Sequence, residues 1–538
     1  MPIADTTVTA DRLRRQAQQS MDAEQWAAAQ TALESLVQCE PHDVPARMEL
    51  ANVILRQGRM RAATRQLLQA VPLLPNDANM IAQLAWRLSI NGEILGARAC
   101  LAHLGRAPHP PAEVLVEQAH LHWMLGEIPA ARALMDRAVA LGIDTSSEYY
   151  LNAMLYQFIG KVAEAEAVLL ECLRRWPSHG DATVILANLR KQTPQANHLG
   201  LFRELLGRIP VESADARDKF VRAEIESAIF KVHDDCGRHE EAWSALARSN
   251  ALMHEINPYD AASEVALTDE LIGMSGAIAA VATSTAPRCN GPTPIFIVGM
   301  PRSGTTLLDH MLSSHSDVIS AGEILDFQRQ FHWMADVAPR STQGMLKAIE
   351  RSLDMDFAEL GARYLKQTQW RAQGHRFYID KLPINIRMVP FIRRALPNAP
   401  ILHLIREPMD VCYSNFKVMF GTASPYCYDQ QALAHYYGQY VRLTNHWQTS
   451  MPDAMLAVSY AALVNQPEAT LRRVLQHCGL AMQEDCLHPE RNLAPVATPS
   501  SVQVREPVHS RAIGQWRRYA KPLEPLRLAI AEHGIGVS

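Results

Sequence analysis

Two regimes of apolar patterning divide the chain. In the N-terminal half, apolar positions follow helical spacing inside a repeat. Glycine stands at Gly58, Gly92, Gly126 and Gly160, and each interval spans 34 residues. Five positions after each glycine comes an alanine: Ala63, Ala97, Ala131 and Ala165. Glu24 with Ala29 occupies the preceding repeat position, and Gly237 with Ala242 suggests one more copy after an irregular stretch. Pro41, Pro75 and Pro177 fall where a unit should close. In the C-terminal half the apolar residues gather instead into short runs. These are "IFIV" from Ile295, "FYID" from Phe377, "PILHLI" from Pro400 and "AMLAVSY" from Ala454, with amphipathic helical segments between them.

A 34-residue period of two helices and a turn is the signature of tetratricopeptide repeats. Glycine permits the turn between the helices, and the small alanine lets them approach closely. Proline ends the second helix. One unit cannot bury its apolar face alone, so the units must stack. The expectation is an α-helical superhelix over roughly residues 10–190, continued by helices to about residue 275. Its surface is expected either to bind a protein or peptide partner, or to act as a scaffold that stabilises or dimerises the rest of the chain. Residues 276–293 lose the repeat pattern and are rich in Ala, Ser, Thr and Pro, as a linker would be. Beyond them, strands alternating with helices predict an α/β domain with a parallel sheet over residues 294–538. Ligands of such sheets bind at the carboxyl ends of the strands.

Composition narrows the class. Hydrophobic residues make up 48% and charged residues 20% of 538 residues, and the net charge is −4. This argues against a broad nucleic-acid surface. Nine cysteines are scattered without a C-x-x-C pair, which argues against a disulfide framework or a metal site. The absence of a long apolar run predicts no membrane span and a cytoplasmic protein.

The chemistry concentrates at "PIFIVGMPRSGTTLLDHML". A buried strand runs into G-M-P-R-S-G-T-T, where both glycines and the final Thr306 of a Walker A loop are in place. Thr305 stands where that loop has its lysine, which disfavours an ATP-dependent kinase. Ser303, Gly304, Thr305 and Thr306 open a helix whose N–H groups and dipole favour an anion, and Arg302 adds positive charge. The alternative is a Gly-Thr turn that only starts a helix. Further on, "LIREPMDVCYSNF" places Arg406 at a strand end, able to fork onto a phosphate, with Ser414 in the following helix.

The stretch "IFIVGMPRSGTTLLDHMLSSHSDVISAGE" resembles the start of the sulfotransferase fold, and most of all the protein-tyrosine sulfotransferases and their bacterial repeat-bearing relatives. The resemblance covers about residues 294–520. It implies that the loop binds the 5′-phosphosulfate end of 3′-phosphoadenosine 5′-phosphosulfate (PAPS), and that Arg406 and Ser414 hold the 3′-phosphate, with no metal. It implies that Lys381, in "YIDKLPIN", stabilises the leaving phosphate, and that Glu323, in "AGEILDF", is the general base. Ile324 departs from the second acidic residue of many members, and His315 and His332 are the runner-up bases. By the same resemblance Ser500 stabilises the transition state, while Tyr460, Gln503, Val504 and Arg505 contact the nucleotide. Gln515 stands where relatives carry a basic residue, a contact that Arg517 or Arg518 would have to supply. The expected activity is PAPS-dependent sulfation of an acceptor hydroxyl, foremost a protein or peptide tyrosine. Sulfation of a sugar, lipid or small phenol, and a catalytically silent adaptor, are the rival readings.

Overall fold

The computed structural model describes residues 3–106, 109–280, 291–339, 342–498, 501 and 503–537. The first part is a stack of helix pairs: α1 (Ile3–Asp22) with α2 (Trp26–Cys39), α3 (Val44–Arg56) with α4 (Met60–Ala70), and α5 (Ala78–Ile90) with α6 (Ile94–Leu104). Then come α7 (Ala112–Met124) with α8 (Ile128–Leu141) and α9 (Ser146–Phe158) with α10 (Val162–Arg175). The irregular stretch holds α11 (Gly180–Asn188) and α12 (Leu199–Gly207), before a last pair, α13 (Ala216–Asp235) and α14 (His239–Ile256).

Each repeat glycine lies in the turn inside a pair, and its backbone explains its presence. Gly58, Gly92, Gly126, Gly160 and Gly237 have φ of 78°, 83°, 80°, 82° and 74°. This is the left-handed region, where a Cβ costs roughly 1–2 kcal/mol. Glu24 takes the same conformation, with φ of 54°, in the turn between α1 and α2. The repeat alanines Ala29, Ala63, Ala97, Ala131, Ala165 and Ala242 are all 1% exposed or less, so the close helix approach inferred for them holds.

The expected linker begins inside a helix. α15 runs from Ala261 to Ala280. Its Leu267, Leu271 and Ile278 are buried in a cluster with Phe296, Phe331 and Trp447 of the second part. An alanine-rich helix end reads as a linker by composition, yet the helix's apolar residues join the core of the second part.

The second part is built on five parallel strands in the order β2-β3-β1-β4-β5. They are β1 (Thr293–Gly299), β2 (Val318–Ser320), β3 (Phe377–Lys381), β4 (Ile401–Ile405) and β5 (Leu456–Ser459). The four apolar runs became β1, β3, β4 and β5, while β2 carried too few residues to register as a run. Helices α16 (Thr305–Leu312), α17 (Asp326–Ala335), α18 (Thr342–Glu350), α19 (Phe357–Thr368) and α20 (Val389–Ala395) alternate with the first strands. They are followed by α21 (Pro408–Phe416), α22 (Gln430–Ser450), α23 (Tyr460–Asn465), α24 (Pro467–His477) and α25 (Glu524–Glu532). Among the described residues, no helix is long and apolar enough to cross a membrane.

The two parts share one body. Four successive repeat turns dock on the α/β part, each through a polar side chain. Asp336 Oδ1 accepts from the backbone N–H of Arg61, 2.7 Å away, just past the Gly58 turn. Gln330 Nε2 donates to Gly92 O at 2.7 Å. Arg371 donates to Leu125 O beside Gly126. Arg505 donates to Phe158 O, two residues before Gly160, at 3.0 Å. Further along, Leu186, Phe202 and Leu246 of the repeats share one buried cluster with Met409, Phe416 and Tyr519. The edge that carries the repeat glycines is therefore occupied by the chain's own second part.

Candidate active site

All five strands deliver site residues at their carboxyl ends. β1 ends at Gly299, where an added Cβ would lie 2.6 Å from Leu404 O of β4. The loop that follows must pack against β4, and glycine makes that possible. Arg302 adopts a left-handed φ of 66° and Gly304 a φ of 102°, which turn the chain sharply into α16. A Cβ at Gly304 would lie 2.5 Å from the ring of Tyr460, so the loop and the residue after β5 are in contact. Thr305 and Thr306 form the first turn of α16 and are buried, as is Ser303. The Ser303 hydroxyl has no hydrogen-bond partner among the described residues. The first N–H groups of a helix likewise lack intrahelical acceptors. This cradle offers donors and needs an acceptor.

Positive charge converges on it. Arg406 follows β4, lies 4.8 Å over the Tyr460 ring and donates to Arg302 O at 3.0 Å and Ala512 O at 2.6 Å. Burial pushes the Arg302 guanidinium down to about 10, and the charge of Arg406 adds to the effect. Lys417, at the end of α21, is pushed down to about 8, first by burial, with Arg302 and Arg406 contributing and Asp234 opposing. Arg406 thus disfavours charge on Arg302, and both arginines disfavour it on Lys417, a grouping of cations of the kind that accommodates an anion. Ser414 is buried on the same helix, α21. Lys417 escaped the sequence reading. Its Nζ donates to Gln515 Oε1 at 3.0 Å, so a base is supplied from α21 at the position where Gln515 had been the departure.

A second cluster gathers at β2 and β3. Lys381, the last residue of β3, is fully buried, and its Nζ donates to Glu323 Oε1 at 2.5 Å. Glu323 lies in the loop after β2, which hydrogen-bonds back onto β3 through Ala321 N to Ile379 O and Lys381 N to Gly322 O. Beneath them sits Asp309 of α16, another residue that the sequence did not single out. Its Oδ2 accepts from the Ser320 hydroxyl at 3.0 Å. Burial pushes its carboxyl up to about 6, opposed by the charge of Lys381.

The other expected residues lie elsewhere. His315 accepts from Asp317 N through Nδ1, and its Nε2 faces Ala481 O at 3.1 Å, which places it in a structural turn. His332 is buried on α17 and is pushed down to about 4 by that burial. Neither meets the Lys381 cluster. Ser500 lies outside the described residues. Gln503, Val504 and Arg505 form a short 3-10 turn in which Val504 is buried. The Arg505 guanidinium donates to Phe158 O and Ala494 O.

Two stretches of the chain match known families. Residues 294–484 match the sulfotransferase family and residues 20–86 the tetratricopeptide repeat. An uncharacterized protein of Aquifex aeolicus (strain VF5) is 28% identical over 330 residues, covering 58% of this chain and 42% of that protein. A putative protein-tyrosine sulfotransferase of Caenorhabditis briggsae is 23% identical over 230 residues, covering 41% of this chain and 80% of that one. The protein-tyrosine sulfotransferase of Drosophila melanogaster is 26% identical over 245 residues, covering 41% of this chain and 46% of that one. Thus the match spans less than half the length of the Aquifex and Drosophila proteins. The sulfotransferase domain of the Synechococcus PCC 7002 olefin synthase is 21% identical, with a TM-score of 0.33 over 48% of this chain and 100% of that one. The fold and site define an α/β domain with a donor-rich, cationic loop at its strand ends. Residues 20–86 are thus similar to tetratricopeptide repeats and residues 294–484 to the sulfotransferase family.

Proposed function

We propose that the protein transfers a sulfuryl group from PAPS to an acceptor hydroxyl. The observation that carries this reading is the convergence of Arg302, Arg406 and Lys417 on a cradle with an unpartnered Ser303 hydroxyl. Such a donor set fits a nucleotide with two separated phosphates. In this reading the Ser303–Thr306 loop holds the 5′ end, while Arg406, Ser414 and Lys417 hold the 3′-phosphate. The bound donor supplies the sulfuryl group and a phosphate leaving group. Glu323 takes the acceptor proton as the new oxygen–sulfur bond forms. Lys381 faces the charge that grows on the leaving oxygen as the old bond breaks. Ser500 is assigned to the same charge by resemblance alone. Catalysis is then mainly positioning and electrostatics.

A protein or peptide tyrosine is the acceptor we favour, because the sequence relatives that carry a functional name include protein-tyrosine sulfotransferases. In this reading residues 294–538 carry the chemistry and residues 1–275 bring in a partner. The eight cysteines among the described residues are unpaired, which suits a reducing cytoplasm. Thermal-shift titration with 3′,5′-adenosine diphosphate tests the cofactor, with AMP and ATP–magnesium as controls. Selective stabilisation by the 3′-phosphorylated nucleotide is expected from mass action. Stabilisation by ATP alone, or by none of the three, would overturn the proposal.

A further inference from the structure

The fourth docking turn differs from the others in what it holds. Phe158 O at the end of α9 accepts from Val496 N at 3.0 Å and from Arg505 at 3.0 Å. One residue earlier, Gln157 Nε2 donates to the Ser501 hydroxyl at 3.2 Å, and both side chains are buried. A Cβ at Gly160 would lie 3.2 Å from Arg505 Nε, so the turn and the guanidinium are in contact. The turn Gln503–Arg505, held by the Arg505 bond, packs in turn on α16, the helix that opens the cradle. Earlier in the chain, Asn492 Nδ2 donates to His310 O at 3.3 Å and to the hydroxyls of Ser313 and Ser314, which locks the C-terminal end of α16. The first three docking turns instead meet α17, the residue that caps it and the turn after α19.

We infer that the α9–α10 turn of the repeats is a positioning element of the nucleotide site, with Gln157 and Arg505 as its positioning residues. They act through the pinned segment on α16 and hence on the Ser303–Thr306 cradle. The consequence for the nucleotide rests on the functional reading above; the coupling to α16 does not. Arg505 then has a use that its sequence position hides. It belongs to the nucleotide site by support and touches no nucleotide.

Hydrogen exchange of the ligand-free full-length protein tests the coupling. Arg505→Met and Gln157→Leu are expected to raise exchange at the amides of residues 305–312 at least fivefold. Gln367→Met removes bonds to Glu93 and to Leu95 N at another repeat contact, and it is expected to leave those amides unchanged. The same two variants are expected to weaken 3′,5′-adenosine diphosphate at least fivefold by calorimetry, with acceptor KM unmoved. Exchange at α16 that stays at the parental rate in both variants, or rises equally in Gln367→Met, would overturn the inference. Altered exchange in a parent that binds no 3′,5′-adenosine diphosphate would leave the coupling standing and sink the functional reading instead.

Discussion

Lys381 Nζ and Glu323 Oε1 lie 2.5 Å apart, the lysine wholly buried and the glutamate 42% exposed. The two groups assigned opposite tasks in transfer thus hold each other. The hydrogen bond from Lys381 occupies Oε1 of the Glu323 carboxylate. On the proposed function, an anionic donor in the cradle would give Lys381 a competing partner and free that oxygen. Ordered addition, donor before acceptor, is the expected kinetic pattern. Glu323→Gln keeps an acceptor for Lys381 but removes the base, so kcat should fall roughly 100- to 10,000-fold. Calorimetric affinity for 3′,5′-adenosine diphosphate should stay within twofold of the parent. Loss of nucleotide binding in this variant would show that Glu323 has a different task.

Arg406→Met tests the 3′-phosphate assignment. A hydrogen bond to a charged group contributes about 1.5–3 kcal/mol, which is roughly a 10- to 150-fold change in affinity. The loss should be large for 3′,5′-adenosine diphosphate and small for AMP. The methionine still covers the Tyr460 ring, so the melting point should move little. Equal losses for both nucleotides would place Arg406 somewhere other than the 3′-phosphate.

Lys417 sets a pH dependence. Its ammonium titrates at about 8 in the folded protein, because burial and the two arginines disfavour its charge. Below that pH it attracts an anion, and above it the attraction is lost. Affinity for 3′,5′-adenosine diphosphate should therefore fall between about pH 7 and 9.5, and Lys417→Met should flatten the profile. A parental profile that is flat over this range would exclude Lys417 from the anion site.

Lys417 and Asp309 also show where the sequence stopped being legible. Residues at strand ends announced themselves: Lys381 after "FYID" and Arg406 after "PILHLI" follow apolar runs that could only be buried strands. Lys417 and Asp309 sit within helical stretches, where a lone charge usually faces water, and only the three-dimensional packing turns them inward. Arg505 posed the opposite difficulty. An arginine that docks a repeat turn has the same sequence appearance as one that grips a phosphate. The repeats were readable because one backbone demand recurs every 34 residues at Gly58, Gly92, Gly126 and Gly160. The sequence predicts helices to about residue 275, and of α15 only residues 276–280 read as linker, since small residues fit a helix end as well as they fit a linker.

Asp309 carries a stability signature of its own. Its carboxyl is raised from 3.8 to about 6 in the folded state. Well below pH 4 it is protonated folded and unfolded, and the native state bears no burden. Between about pH 4 and 6 the unfolded chain releases the proton while the native state keeps it, so stability is lost across that window, and the whole loss is in place above it. Asp309→Asn should relieve up to about 3 kcal/mol of that loss at pH 7.5 and almost nothing at about pH 3. Urea denaturation of both proteins at the two pH values decides the matter. An equal effect at both would mean that Asp309 contributes through packing and its bond to Ser320, not through its charge.

The repeat turns allow backbone strain to be separated from docking. Gly58 and Gly92 share the same left-handed conformation, with φ of 78° and 83°. An added Cβ at Gly58 meets nothing within 4 Å, whereas at Gly92 it would lie 2.6 Å from Gln330 Nε2 and 3.1 Å from Arg329 Cβ. Gly58→Ala should therefore cost only the conformational term, roughly 1–2 kcal/mol. Gly92→Ala must also push the turn away from α17, breaking the bond from Gln330 to Gly92 O. That leaves a buried amide without its acceptor, a further loss of about 1–3 kcal/mol. Chemical denaturation should rank the two variants in that order, and proteolysis should cut α17 faster in Gly92→Ala alone. Equal destabilisation of the two would mean that the turn edge contributes nothing to holding the repeats against the α/β part.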